Sequence, residues 1–412
     1  AWSPDGKWIA FTSQLDPKLF WYATAHLAIA PATGGDEKVL TRALDRNVSA
    51  PHFTPDGKSI DFIADDDGTQ NLVSVPADGS EITRPAARPI AGRLMLDAYS
   101  MSKSGAIAAQ IGMVDRPDEV YALAAGGALQ RLTTTNDELM SKIQLGSVEY
   151  VHFKSKDGTV VHGYVVKPPD YQPGRRYPTI LQPHGGPVWA YYAEFNFQPQ
   201  LYAANGYVVL LPNPRGSSGY GQDYCKAIFA DWGDKDFQDD MGLVDYAIAQ
   251  GIADPAQLGV GGHSYGAIST NFIVVQTTRF KAAITDAGEF LYSTNWGHDQ
   301  YVREWETELG LPWVNRTLWE KLAPFYRLTN IKTPTLVMGG DADMNVPVIN
   351  GEQMYEGLKW LGVPTKLVVY PGQYHEFRRP SFIYDRWQRN LAWFNHYVRD
   401  IGPAVPPHPY AE

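Results

Sequence analysis

Short runs of alternating apolar and polar residues, separated by glycine turns, fill the first 146 residues of the chain. One unit of this pattern recurs: residues 2–11 read WSPDGKWIAF, residues 53–62 read FTPDGKSIDF, and residues 101–108 are a weaker copy, MSKSGAIA. The copies begin about 50 residues apart, and each places a Pro-Asp-Gly or related turn before a strand of period two. The pattern therefore predicts repeated strands and excludes helical repeats.

Repeats of this length that are built from short strands are typical of β-propeller blades. The three copies are too few to close a propeller, which needs about four to eight blades. We therefore expect a partial β-propeller over residues 1–146, whose remaining blades are missing from this chain because they were cleaved off or belong to another chain of the same particle. The chain also begins at Ala1 without a methionine or a signal-peptide pattern, which is expected if an upstream segment has been removed or lost.

The apolar pattern changes from residue 147 onward. A hairpin with a turn at Asp157-Gly158 comes first, and near-continuous apolar strands then alternate with amphipathic helices. The predicted strands span 179–182, 207–211, 258–262, 282–285, 335–338 and 366–370, and the predicted helices span 237–249, 265–276, 348–360 and 381–398. Such alternation predicts a mostly parallel sheet with helices on both faces. The fold class of residues 147–412 is therefore α/β, in the layout of an α/β-hydrolase.

The composition of the 412 residues agrees with a globular protein of two domains, because 44% are apolar and 19% are charged. A net charge of −10 without a stripe of Lys or Arg argues against a nucleic-acid partner. No run approaches the ~18 consecutive apolar residues of a membrane span, so we expect no membrane partner. Cys225 is the only cysteine, which excludes an intrachain disulfide and predicts an unreactive thiol. The compartment stays open between cytoplasm and periplasm.

The chemical centre of the second domain is predicted at residues 262–266, which read GHSYG between a predicted strand and a predicted helix. A strand that enters a helix through so tight a turn holds the serine in a strained backbone conformation and exposes its hydroxyl. A side chain in place of Gly262 or Gly266 would clash across that turn. In this context Ser264 is predicted to be a catalytic nucleophile, and an ordinary glycine-rich turn is the alternative.

A serine nucleophile needs a base that accepts its proton and an acid that orients the base. In α/β-hydrolases both follow the serine in the chain, each on a loop after a later strand. Asp341 and Asp343 both qualify as the acid, since both follow the fifth predicted strand. Of the histidines beyond it, only His375 lies in a loop just after a strand, whereas His396 falls in the last helix and His408 in a proline-rich tail. The chain order therefore predicts His375 as the base.

The tetrahedral intermediate of acyl transfer also needs hydrogen-bond donors for its oxyanion. The backbone N–H of Tyr265, directly after the nucleophile, is one predicted donor. A second donor is expected from residues 184–187, HGGP, which follow the first predicted strand of the parallel sheet. Glycines there let the backbone approach a substrate closely, and a plain turn is the alternative.

Several motifs together resemble the prolyl oligopeptidase family of serine peptidases, most of all its acylaminoacyl-peptidase and oligopeptidase branch. They cover the chain from about residue 164 to its end: HGGP at 184–187, NPRGSSGYG at 213–221, DWG at 231–233, GHSYG at 262–266, Asp343-x-x-Val346-Pro347 and Gly372-x-x-His375. The resemblance implies Asp343 rather than Asp341 as the triad acid, His375 as the base and Gly186 as the second oxyanion donor.

The sequence departs from that family at the substrate site. Some members carry an arginine two residues after the triad acid that binds a substrate carbonyl, but Asn345 stands there in this chain. Arg303 is a candidate substitute. A surface ion pair of Arg303 with Glu304 or Glu306 is the alternative.

An aromatic-rich stretch surrounds Arg303. Trp296 and Tyr301 are candidate substrate-binding residues, and with Trp305 and Trp313 they predict a preference for an apolar or aromatic P1 side chain. Packing inside the core is the alternative role, since aromatic side chains bury well in any apolar surrounding.

Four aspartates crowd the start of the predicted helix at 237–249, namely Asp234, Asp236, Asp239 and Asp240. They lack the glycine and glutamate of an EF-hand loop, so we predict no metal site there. We expect them to be solvated around a helix start, where the macrodipole favours negative charge.

Together these features predict a serine peptidase that hydrolyses short peptides through an acyl-enzyme on Ser264, without a metal or organic cofactor. An acylaminoacyl peptidase, a dipeptidyl peptidase and an oligopeptidase all stay open, and so does a homo-oligomer. An esterase on the same triad is one alternative, against which the propeller argues because esterases do not usually need a size filter. A propeller binding protein with an inactive hydrolase domain is the other, against which the intact set of Ser264, Asp343 and His375 argues.

Overall fold

The computed structural model of the chain describes residues 1–82 and 84–405, so His408 lies outside the described residues. Two compact units are present. The first contains Ala1–Val148 together with Ala190–Gln198 and Ser217–Lys226, two segments of the region for which we predicted an α/β domain. The second contains Glu149–Trp189, Pro199–Gly216 and the chain from Ala227 onward.

The strands and helices follow one another along the chain with these bounds. The strands are β1 (Trp8–Gln14), β2 (Ala25–Pro31), β3 (Lys38–Val39), β4 (Val48–Phe53), β5 (Ser59–Asp66), β6 (Thr69–Pro76), β7 (Ala86–Ala87), β8 (Met95–Met101), β9 (Ile107–Met113), β10 (Arg116–Leu123), β11 (Leu129–Arg131), β12 (Val148–Lys154), β13 (Val160–Val166), β14 (Tyr177–Leu181), β15 (Val208–Asn213), β16 (Ala253–His263), β17 (Ala282–Asp286), β18 (Thr335–Gly340) and β19 (Thr365–Tyr370). The helices are α1 (Asp137–Met140), α2 (Phe197–Ala204), α3 (Gln222–Cys225), α4 (Lys235–Ala249), α5 (Tyr265–Val274), α6 (Val302–Leu309), α7 (Arg316–Leu322), α8 (Ile349–Trp360) and α9 (Pro380–Arg399).

The first unit consists of antiparallel meanders. Strands β1 to β3 form one sheet, and β4 to β7 and β8 to β11 form two further meanders that are joined by a single bridge between Gln70 and Met95. Alternate side chains of these strands point inward and form two apolar clusters, one containing Phe62 and the other containing Leu96. This is the packing that a period-two pattern predicts, because successive side chains of a strand face opposite sides.

The three sequence repeats fold as the same turn. The backbone oxygens of Ser3, Thr54 and Ser102 each accept a hydrogen bond from the N–H of the glycine three residues later, at 2.9, 2.8 and 3.0 Å. Each hydroxyl oxygen also accepts one from a backbone N–H at the start of the following strand, at 2.9, 3.1 and 3.0 Å. The glycines have φ of 72°, 70° and 83°, in the left-handed region that favours glycine. The repeat is thus a structural unit, and the propeller stays a prediction.

The second unit is built on one eight-stranded sheet in the order β12-β13-β15-β14-β16-β17-β18-β19. Strands β13 and β15 are antiparallel, and every later pair in this order is parallel. All six predicted strands of this sheet are present, with β16 beginning earlier than predicted, at Ala253. Strands β15, β17 and β18 are buried at every residue, which explains their continuous apolar sequences.

The four predicted helices of this unit are present as α4, α5, α8 and α9, while α2, α6 and α7 were not predicted. Helix α5 is buried along its whole length. Because it follows β16, an inner strand of the sheet, the residues just before it lie at the carboxyl edge of the sheet and away from its margins. In the described parts of the chain, no helix has both the length and the apolar character needed to cross a membrane.

Cys225 is buried in the first unit. Burial raises the pKa of its thiol to about 12, and the charge of Asp65 acts in the same direction. The thiolate is therefore disfavoured at neutral pH, as expected for an unreactive cysteine.

Candidate active site

Ser264 lies between the end of β16 and the start of α5. Its backbone has φ 59° and ψ −128°, a conformation that is costly for a residue with a Cβ atom. Its N–H donates a hydrogen bond of 3.0 Å to the backbone oxygen of Asp286, at the end of the neighbouring strand β17. The predicted strain at the serine is therefore present, and the side chain remains partly exposed.

The two glycines beside Ser264 are needed for different reasons. A Cβ on Gly262 would lie 2.5 Å from the carbonyl carbon of Gly266, which is the predicted clash across the turn. A Cβ on Gly266 would instead lie 2.2 Å from the backbone oxygen of Pro183, in the loop after β14. The second glycine thus lets α5 approach the loop that contains the HGGP sequence.

The imidazole of His375 is held by Asp343. Its Nδ1 lies 2.7 Å from Oδ2 of the buried Asp343 carboxylate. The other oxygen, Oδ1, accepts hydrogen bonds from the N–H groups of Asn345 and Val346 at 2.8 and 3.0 Å. The ring of His375 also packs against that of His263, the residue before the serine, with the centroids 4.6 Å apart. These contacts place the imidazole beside the strand-helix turn, with its Nδ1 bound to Asp343 and its Nε2 not bound to that carboxylate.

Asp341, the other candidate acid, is exposed and binds a different group. Its Oδ1 accepts a 2.6 Å hydrogen bond from the N–H of Gly372. Asp341 therefore joins the loop after β18 to the loop after β19. The acid that faces the imidazole is Asp343.

The HGGP loop passes beside Ser264. A Cβ on Gly185 would lie 3.6 Å from the Cβ of Ser264, which is ordinary contact distance. Gly186 follows with φ 127°, where a side chain would be strained. Burial lowers the pKa of His184 to about 4, so this side chain is neutral at pH 7. The loop thus lines the strand-helix turn with backbone and without a charge.

Tyr265, the first residue of α5, is fixed through its side chain. Its hydroxyl donates a 2.7 Å hydrogen bond to Oδ2 of Asp236, and the N–H of Gly233 donates one of 2.8 Å to Oδ1. Burial raises the pKa of Asp236 to about 6 despite these bonds. No spacing in the sequence predicts this contact, because the two side chains come from different helices, α4 and α5.

The expectation that the aspartates at the start of α4 are solvated is wrong for three of the four. Only Asp234 is exposed. The carboxylate of Asp239 binds the guanidinium of Arg215 through both oxygens, at 2.9 and 2.7 Å, and that of Asp240 accepts a 2.7 Å hydrogen bond from Ser269. Buried carboxylates need such partners because removing a charge from water is costly. The aspartates thus join α4 to α5 and to the segment after β15.

His263 lies among charged side chains that are distant from it in the sequence. Its Nδ1 is 3.2 Å from Oδ2 of Asp286, and its Nε2 is 3.6 Å from Oε1 of Glu376. A guanidinium nitrogen of Arg386 lies 3.2 Å from the same oxygen of Asp286. The only signal in the sequence was a histidine at the position before the serine.

Arg303, a candidate for substrate binding, is exposed on α6. Among the described residues, its surface position agrees with the alternative given above, but no ion pair with Glu304 or Glu306 is present. The guanidinium is therefore not held by a neighbouring carboxylate.

Tyr301 lies just before α6 and is partly buried, and burial raises its pKa. The preceding residue, Gln300, donates a backbone hydrogen bond of 3.1 Å to the oxygen of Met344. Because Met344 directly follows Asp343, this bond attaches the segment containing Tyr301 to the loop that holds the acid.

The tryptophans of the aromatic stretch divide into two groups. Trp305 is only 2% exposed, and its Nε1 donates a 2.7 Å hydrogen bond to Asp299, so packing is its role. Trp313 is 67% exposed and lies edge-on to the partly buried Trp296, with the ring centroids 5.1 Å apart. The pair thus leaves apolar surface of Trp313 exposed to solvent.

Comparison with known proteins gives a family match over half of the chain. The model described as the prolyl oligopeptidase family, Peptidase_S9, matches residues 193–400. The uncharacterized peptidase YuxL of Bacillus subtilis is 32% identical over 356 residues, which are 84% of this chain and 53% of YuxL. Dipeptidyl-peptidase 5 of Porphyromonas gingivalis is 26% identical over 415 residues, which are 96% of this chain and 58% of that protein. The chain thus spans little more than half the length of these curated relatives.

The fold is also shared with a solved structure. Acylaminoacyl peptidase of Pyrococcus horikoshii superimposes with a TM-score of 0.86 at 23% identity, over 97% of this chain and 62% of that one.

Proposed function

Because this chain belongs to the prolyl oligopeptidase family, we propose that the protein is a serine peptidase that cleaves short peptides through an acyl-enzyme on Ser264. The observation that carries the proposal is the imidazole of His375, which binds Asp343 at 2.7 Å and packs against the residue before Ser264. The family match includes all three residues, and both curated relatives described above are named peptidases.

In the first step, Nε2 of His375 accepts the proton of the Ser264 hydroxyl while Oγ forms a bond to the scissile carbonyl carbon. Asp343 keeps the other ring proton on Nδ1 and stabilises the imidazolium. The carbonyl oxygen becomes an oxyanion, to which the N–H groups of Tyr265 and Gly186 donate. The positive end of the α5 dipole favours the same charge.

In the second step, the imidazolium gives its proton to the leaving amine as the carbon–nitrogen bond breaks, which leaves an ester on Ser264. A water molecule then gives a proton to His375 and attacks the ester carbon. The second intermediate collapses, the serine oxygen recovers the proton, and the carboxylic acid product leaves.

We propose short peptides as the substrates, and a partial propeller over residues 1–146 as a contribution to the size filter. The repeated turn and the antiparallel meanders of the first unit support the propeller. Acylaminoacyl, dipeptidyl and oligopeptidase activities are all compatible with a relative named dipeptidyl-peptidase 5 and a similar structure described as an acylaminoacyl peptidase.

A panel of chromogenic peptides with free and blocked N-termini tests this proposal. Turnover of blocked amino acids favours an acylaminoacyl peptidase, turnover of dipeptide substrates with a free N-terminus favours a dipeptidyl peptidase, and turnover of longer blocked peptides favours an oligopeptidase. A serine-directed phosphonate should label Ser264 and stop all three. Turnover of simple esters without any peptide cleavage, or labelling of a different serine, would contradict the proposal.

A further inference from the structure

His263 directly precedes the proposed nucleophile but takes no part in the proton transfers described above. Its ring lies 4.6 Å from that of His375, with 41° between the ring planes. Its side chain is 27% exposed, and each ring nitrogen faces a carboxylate. The charge of a histidine that contacts two carboxylates and also packs against the base changes the proton affinity of that base.

Two carboxylates face this imidazole, and an arginine pairs with one of them. Asp286 ends β17 and is buried, Glu376 follows the base on the loop after β19 and is mostly exposed, and Arg386 reaches Asp286 from α9. If His263 is protonated, its charge and that of Arg386 balance the two carboxylates, and the net charge of the four groups is zero. If His263 is neutral, the four groups have a net charge of −1 beside His375.

The surroundings favour the protonated form of His263. Burial alone would lower its pKa, but the facing carboxylates of Asp286 and Glu376 outweigh burial and raise the pKa to about 9. Burial alone would also raise the pKa of Asp286, but His263 and Arg386 hold it below the ordinary value. Both groups are therefore charged at neutral pH.

On the basis of the proposed function, we propose that His263 is a positioning residue for the base: as an imidazolium, it cancels the carboxylates beside His375 and keeps the base neutral before attack. Without it, the remaining negative charge favours a protonated His375. A protonated base cannot accept the proton of Ser264, so the active fraction of the enzyme falls at acidic pH.

The test is the pH dependence of kcat/KM for the wild type, His263→Gln and the control His396→Gln. The acid limb of His263→Gln should move to higher pH by about one unit, because a charge at this distance shifts proton binding by that order. At a pH below the acid limb, the ratio of kcat/KM of His263→Gln to that of the wild type should then be about tenfold lower than it is on the plateau. His396 lies on α9 and binds the oxygen of Gly402, so its variant should keep the wild-type profile. A role in packing alone would lower the plateau without moving the limb.

A second measurement does not depend on the folding of a variant. In wild-type protein with labelled histidine rings, NMR titration should find His263 still protonated at pH 8. A neutral His263 at pH 7, or an unmoved acid limb in His263→Gln, would overturn the inference. If the phosphonate did not label Ser264 in the wild type, the proposed function would fail instead, and the titration would still decide the charge of His263.

Discussion

The hydroxyl of Tyr265 donates a 2.7 Å hydrogen bond to the buried carboxylate of Asp236. The residue whose backbone N–H is proposed to stabilise the oxyanion is thereby anchored, through its side chain, to a helix earlier in the chain. The position of this proposed oxyanion donor thus depends on a carboxylate that takes no part in the proposed proton transfers.

Asp236→Asn should remove a pH dependence of stability. Burial raises the pKa of Asp236 from 3.8 to about 6, so the folded state binds this proton more tightly than the unfolded state. Its contribution to stability is therefore full below about pH 4 and is lost as the pH rises through about 6. Over this range the free energy of unfolding of the wild type should fall by about 2 kcal/mol relative to Asp236→Asn. Denaturant unfolding at several pH values measures the difference.

The matched control is Asp234→Asn, because Asp234 is exposed at the start of the same helix. The free energy of unfolding of Asp234→Asn should have the same pH dependence as that of the wild type. If the free energy of unfolding of Asp236→Asn had the same pH dependence as that of the wild type, Asp236 would not bind a proton more tightly in the folded state.

Ser264→Ala should abolish turnover and phosphonate labelling while the protein stays folded. The alanine keeps a Cβ atom at φ 59°, so it also keeps the backbone strain. Ser264→Gly removes the strained Cβ and should be more stable than Ser264→Ala by about 1 kcal/mol, after the greater entropy of glycine in the unfolded state is subtracted. Thermal unfolding of the two inactive variants gives the comparison. A more stable alanine variant would show that the turn is not strained.

Asp343→Asn should lower kcat on the order of 10⁴-fold, because an asparagine cannot stabilise the imidazolium or keep the ring in the required tautomer. Asp341→Asn should have a much smaller effect, since the exposed Asp341 binds only the N–H of Gly372. Steady-state kinetics on one peptide substrate distinguish the two variants. A larger loss for Asp341→Asn would mean that the roles of the two acids are reversed.

The strands of the α/β unit could be predicted because a strand buried on both faces has a continuous apolar sequence. Residues 335–338 were predicted as a strand from their apolar sequence, and in β18 they are buried throughout. The turn at Ser264 could be predicted because Gly262 is required by the geometry of the turn itself, whereas the contact that requires Gly266 comes from Pro183, in a distant loop. The acid and base candidates followed from the fold, since loops after parallel strands meet at one edge of the sheet.

Contacts between distant residues could not be predicted. The aspartates of α4 were expected to be solvated because the charge of a side chain can be read from the sequence but its burial cannot. Their partners Arg215 and Ser269 lie more than 20 residues away in the chain. Helix α6 was missed because it has only eight residues and four of them are charged, although Val302, Trp305 and Leu309 do recur at helical spacing. The charged neighbours of His263 come from three separate elements, so no spacing in the sequence connects them.

The whole protein should cleave short peptides and spare folded proteins. This follows from the proposed propeller, because a wall of blades over a hydrolase site admits only small and flexible chains. The experiment compares a folded protein, its unfolded form and a series of peptides from the same sequence, using enzyme that contains the complete propeller. Rapid cleavage of the folded substrate would contradict the size filter.

The last prediction concerns the side chain accepted at P1. Trp305 is buried and bound to Asp299, so the surface that we propose for the P1 side chain is the pair of Trp296 and the exposed Trp313. Trp296→Ala should lower kcat/KM for peptides with an aromatic or apolar P1 residue by about tenfold, because these substrates lose an apolar contact. For peptides with a small P1 residue, which do not make this contact, kcat/KM should change little. Trp360→Ala is the matched control, since Trp360 is 88% exposed at the end of α8. Equal losses in the two variants, or a wild-type preference for charged P1 residues, would show that Trp296 and Trp313 do not form the P1 site.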